Sequence, residues 1–144
     1  MECPGCGSPL IALEFASVEL DYCPQCAGVW LDKGELADLL DLAEVASGGM
    51  TEALYDTPSR GPGKGQCPRC GRRLQLVQLE AADHAIDIDR CPGHHGLWLD
   101  RGEIRQVVEW FGQEKGRDTG AVADVLNQMF GYALRPNDKE NPAQ

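Results

Sequence analysis

The sequence predicts a small, metal-stapled α+β protein: two tandem ribbons of short antiparallel hairpins, each followed by an amphipathic helix, and then a further C-terminal helix. Three observations carry that reading. A cysteine-rich unit occurs twice, each copy is too short to build a core of its own, and helical periodicity follows each cysteine cluster.

Residues 2–36 read ECPGCGSPLIALEFASVELDYCPQCAGVWLDKGEL, and residues 66–104 read QCPRCGRRLQLVQLEAADHAIDIDRCPGHHGLWLDRGEI. Cys3 and Cys6 match Cys67 and Cys70 at an offset of 64, and Cys23 matches Cys91 at an offset of 68. From there the copies align without a gap through Gly28/Gly96, Trp30/Trp98, Asp32/Asp100 and Glu35/Glu103.

In each copy a Cys-Pro-x-Cys-Gly turn leads into an apolar strand, at residues 10–15 and 74–79. A hairpin connection follows, and the alternating Val18/Leu20 or Ile86/Ile88 mark a second strand. A short extended stretch then carries the tryptophan, which is expected to pack between ribbon and helix. Asp32 and Asp100 stand three residues before Glu35 and Glu103, an Asp-x-x-Glu form of the capping box that starts a helix. Leu36, Leu39, Leu40 and Ala43 share one face of the first helix; Ile104, Val107, Val108 and Phe111 share one face of the second.

Ribbon and helix fill residues 1–46, a Gly/Ser/Pro-bearing linker 47–66, and the second ribbon with its helix 67–113. Ala53, Leu54 and Tyr55 are the linker residues able to dock on a unit. Residues 114–144 supply a C-terminal helix at 121–134, with Val122, Val125, Leu126, Met129 and Phe130 on one face, and a polar tail. That face is expected to fold back on the second ribbon helix or to pair two chains as a homo-oligomer.

In the first copy Cys3, Cys6, Cys23 and Cys26 form C-x2-C-x16-C-x2-C, the spacing of a four-thiolate tetrahedral site. The second offers Cys67, Cys70 and Cys91, and the ungapped register puts His94 where the first has Cys26. His95 is the alternative, giving C-x3-H; His84 reads as a loop residue. Two Zn2+ ions per chain are expected. An iron carrier or a thiolate redox switch is the lesser alternative, because one site carries nitrogen and neither pair starts a helix. Four protein donors leave no position for water, so both sites read as structural and the chain as non-enzymatic.

Net charge is −10, and residues 1–47 hold nine acids against one base. Nucleic acid is therefore an improbable partner; a nucleic-acid interface would have to use Arg69, Arg72, Arg73 and Arg90 of the second copy, which read as a solvated face. No apolar run reaches the length of a membrane span, and the N-terminal residues lack the pattern of a secretory signal, so a cytoplasmic protein is expected.

The segments CPQCAGVWLDKGEL and CPGHHGLWLDRGEI, each preceded by a CPxCG knuckle, resemble the bacterial TFIIB-type zinc-ribbon family. The resemblance covers about 80 residues in two copies. It implies zinc ribbons with ligands at the seven cysteines, and the expected role is that of a non-enzymatic protein-interaction module near the transcription machinery. His94 departs from the all-cysteine pattern of that family.

Overall fold

Three antiparallel strands and a helix arise from each copy, in the order the repeat implies. The computed structural model describes residues 1–15, 18–42, 49–80 and 85–114. The first copy forms β1 (Ile11–Phe15), β2 (Val18–Tyr22), β3 (Val29–Asp32) and α1 (Glu35–Leu42). Next come α2 (Met50–Asp56) and β4 (Gly61–Gln66). The second copy forms β5 (Arg73–Glu80), β6 (Ala85–Arg90), β7 (Gly96–Leu99) and α3 (Glu103–Glu114).

All seven strands join one antiparallel sheet in the order β1-β2-β3-β7-β6-β5-β4. The seam is β3 against β7, with Val29 opposite Leu99, Trp30 opposite Trp98 and Leu31 opposite Leu97. Equivalent tryptophans thus face one another, and a local two-fold axis passes between them. The alternation of strand side chains sorts the core into two layers. Val29, Leu31, Leu97 and Leu99 point to one face, where they pack with Leu36, Leu39, Leu40, Ile104, Val107 and Phe111 of the helices. Trp30 and Trp98 point to the other, where they cluster with Cys3, Cys23, Cys67, Cys91 and Leu74.

The stretch expected to be a linker is structured over residues 49–66. Leu54 and Tyr55 of α2 are buried in the helical layer. The α2 carbonyls left open at its C-terminus are met by Arg90, whose Nη1 donates to the oxygens of Leu54 (3.0 Å), Tyr55 (3.1 Å) and Thr57. β4 has none of the residues that favour strands, so its conformation comes from pairing: Gly61 lies opposite Leu76, Pro62 opposite Gln75 and Gln66 opposite Arg73, with a bulge between. Pro62 is tolerated because β4 is an edge strand.

Arg90 also corrects the expected solvated arginine face, being 6% exposed. Arg69 is tied to Asp32 through Nε (2.8 Å) and Nη2 (2.5 Å). His84, Ala43 and the expected helix at 121–134 lie outside the described residues. No described helix is long and apolar enough to cross a membrane.

Candidate metal centres

Three of the four ligand turns share one backbone design. After Cys3, Cys23 and Cys67 the chain closes with an N–H···O bond four residues on: Gly7 to Cys3 (2.9 Å), Ala27 to Cys23 (2.8 Å), Gly71 to Cys67 (2.8 Å). The closing residue is left-handed each time, with φ of 81° at Gly7, 67° at Ala27 and 79° at Gly71. The turn aims backbone N–H groups at sulfur: Gly5 and Cys6 at Cys3 Sγ (3.2 and 3.3 Å), Cys26 at Cys23 Sγ (3.4 Å), Arg69 at Cys67 Sγ (3.3 Å). Such donors stabilise thiolates, the form that binds metal.

The fourth turn differs. His94 N–H bonds the Cys91 carbonyl at 3.0 Å, one residue earlier than in the other three, and His94 itself is left-handed at φ 64°. The frame around it is unchanged, since Cys91 N–H meets the Gly96 carbonyl (3.1 Å) as Cys23 N–H meets that of Gly28 (3.0 Å). Closing early moves the inward position from 94 to 95. His95 Nδ1 lies 3.4 Å from Cys91 Sγ and joins Cys67 and Cys70 in the donor set. An imidazole nitrogen is one bond farther from Cβ than a thiol sulfur, which suits the later position. His94 instead packs its ring on Tyr55 at 5.3 Å. Sequence register therefore placed the eighth donor one residue too early: His94 is replaced in that role by His95.

Two sets of four donors result, Cys3, Cys6, Cys23 and Cys26 in one ribbon and Cys67, Cys70, Cys91 and His95 in the other, each with its donor atoms within 4.8 Å of one another. Sulfur pairs stand at 3.5 Å (Cys3–Cys26, Cys6–Cys23) and 3.6 Å (Cys70–Cys91). A tetrahedron with Zn–S bonds of about 2.3 Å separates its sulfurs by roughly 3.8 Å, so both sets fit zinc. Burial pushes the Cys67 thiol up to about 12, while hydrogen bonding to Ser8 draws Cys6 down to about 6. Holding all four donors deprotonated in so small a volume requires a cation at the centre.

Behind each centre the Trp-Leu-Asp-x-Gly-Glu segment forms the same network. Trp30 Nε1 donates to Asp32 Oδ1 and Trp98 Nε1 to Asp100 Oδ1, both at 2.9 Å. Glu35 and Glu103 accept the backbone N–H of Asp32 and Asp100 at 2.7 Å. This is the glutamate half of the expected capping box; the aspartate side chains are turned to the indoles. Burial pushes Glu35 up to about 7 and Glu103 up to about 8.

The tryptophans also cross the dyad. A Cβ on Gly28 would lie 2.2 Å from Trp98 Cζ2, and one on Gly96 2.7 Å from Trp30 Cζ2. Each glycine thus makes room for the indole of the other ribbon, and Trp98 also lies near Gly5 beside the first centre. Sequence reading placed the indoles between ribbon and helix; they sit on the opposite face of the sheet, between the two centres. The recurring Gly-x-Trp spacing was the available signal.

His95→Ala is expected to release the second zinc, and His94→Ala to leave both bound while loosening the Tyr55 contact. Metal content of the two variants measured side by side checks this; the opposite pattern would restore His94 as ligand.

Comparison with curated proteins and with solved structures yields no significant match. Residues 2–42 and 66–109 match the TFIIB-type zinc ribbon, described as a transcription factor zinc-finger, and each matched region contains one complete donor set. With well over half of its length in those two regions, the chain belongs to the TFIIB-type zinc-ribbon family, as a tandem member that binds two zinc ions.

Proposed function

We propose that the protein is a non-enzymatic protein-interaction module connected with transcription, in which zinc is structural. The observation that carries this is the closed donor set: four protein atoms surround each centre, and a catalytic zinc needs a position open to water or substrate. The large indoles behind the centres are fully buried, so they serve the fold and offer no stacking surface to a base. The family description points to transcription as the process in which partners are to be sought.

Phosphate binding is disfavoured by the charge of −10 and by the commitment of two second-ribbon arginines, Arg69 to Asp32 and Arg90 to the end of α2. Duplex DNA is expected to show no sub-micromolar binding at physiological salt. Affinity capture from native extract, repeated with a Cys67→Ser control and then reconstituted from purified components, tests the interaction reading. One stoichiometric protein partner that needs intact zinc sites is the expected result. Tight DNA binding with a steep salt slope, or capture indifferent to the zinc sites, would overturn it.

A further inference from the structure

β1 ends the sheet on one side, whereas its equivalent β5 is covered by β4. The offset of 64 maps Arg73, Gln75 and Leu76 of β5 onto Pro9, Ile11 and Ala12. The last β4 pair, Gln66 with Arg73, has its counterpart in the bridge of Glu2 with Pro9. No described residue takes the positions of residues 61–64 beside β1.

The open edge is polar backbone. Leu10 N–H meets the Met1 carbonyl at 2.9 Å, so the two-residue alternation of a strand turns the N–H and C=O of Ala12 and Glu14 to the same outer side. The equivalent carbonyl on β5, that of Leu76, accepts the N–H of Arg60 at 2.7 Å.

A buried carboxylate marks the same place. In the second ribbon Asp89 stands opposite Leu76, is 4% exposed, and accepts the backbone N–H of Lys64 in β4 at 3.2 Å. Its counterpart Asp21 stands opposite Ala12, is 8% exposed, and has no hydrogen bond or ion pair among the described residues. The Asp21 carboxylate keeps a little solvent contact but lacks the backbone donor that Asp89 has, and an added strand would supply it. The nearby Arg69 is already held by Asp32. Glu14 and Glu19 are exposed around the edge, in a stretch of nine acids and one base. The occupant must also be small where it meets Asp21, because a Cβ on Gly63 would lie 2.5 Å from Asp89 Oδ1.

We propose that the open edge of β1 and the buried Asp21 carboxylate form a strand-acceptor site for an extended, cationic, glycine-containing segment of a partner protein, added antiparallel in the register β4 uses on β5. The site rests on the interaction reading above and gives it a surface and a partner class. Edge pairing supplies affinity through main-chain bonds; the charge and the glycine requirement supply selectivity.

A fluorescent synthetic peptide with the sequence of residues 59–66 (SRGPGKGQ), titrated into the full zinc-loaded chain, tests the site. Saturable one-to-one binding is expected, with slowed deuterium exchange at the amides of Ala12 and Glu14. Ala12→Pro, tolerated on an edge strand, should weaken binding about tenfold or more by removing a donor and blocking approach. Asp21→Ala should weaken it about fivefold without lowering the melting temperature of the free chain, whereas loss of a structural carboxylate would lower it. The Gly63→Val form of the peptide should not bind. Absence of binding, protection elsewhere, or Ala12 and Glu14 already protected in the free chain by its own residues or a second copy would overturn the proposal. Failure here with zinc-dependent partner capture intact would leave the interaction reading standing; loss of that capture as well would remove both.

Discussion

Chelating zinc is expected to unfold the whole protein, not only to empty two surface sites. A structural zinc site contributes on the order of 10–16 kcal/mol of apparent binding energy, against about 5–15 kcal/mol for the net stability of a typical domain. The coupling is visible in the sheet. One of its two core layers consists of ligand cysteines, the paired tryptophans and Leu74, so removing the ions leaves that layer with buried thiolates that no cation neutralises and that must take up protons. Because Trp98 lies against Gly28 and Gly5, loss of the second centre disturbs the first. Far-ultraviolet circular dichroism and tryptophan fluorescence during titration with a strong chelator should change together and recover on adding zinc. A chelated chain that still melts cooperatively would show that the hydrophobic layer suffices alone.

Gly28→Ala should be strongly destabilising although it adds a single methyl group. Its Cβ would meet Trp98 at 2.2 and 2.5 Å, on a side chain with no exposure and therefore no room to move. Overpacking of this kind costs about 3 kcal/mol, or roughly 10 °C in melting temperature for a chain of this length. Gly96→Ala should behave alike, since its Cβ would meet the Leu31 carbonyl at 2.3 Å as well as Trp30. Gly49→Ala is the control, with nothing within 4 Å, and should change little. Trp98→Leu combined with Gly28→Ala should recover part of the loss, which a double-mutant cycle on thermal melts would measure as coupling between the ribbons. Additive losses would mean that the two residues do not touch.

Much of this was legible in the residues because metal chemistry has strict spacing. The C-x2-C pairs and their repetition identified seven donors, and the alternation at Val18/Leu20 and Ile86/Ile88 identified hairpin strands that the structure contains. The eighth donor was not legible, because alignment register reports position along the chain and the choice between His94 and His95 depends on where one turn closes. The union of the ribbons was hidden for another reason. Pairing between β3 and β7 joins residues about 70 apart, and nothing local in a four-residue apolar strand says which edge will meet it. β4 was hidden by composition, since Gly-Pro-Gly-Lys-Gly-Gln reads as linker and takes its strand geometry from β5. Arg90 read as a surface charge because its partners are backbone carbonyls of α2, which leave no pattern in the side chains.

Native mass spectrometry of the chain purified without added metal tests most directly whether two zinc centres hold this sheet together. The expected mass is that of the polypeptide with two zinc ions and with the seven cysteines reduced. A single zinc per chain, or iron in place of zinc, would contradict it.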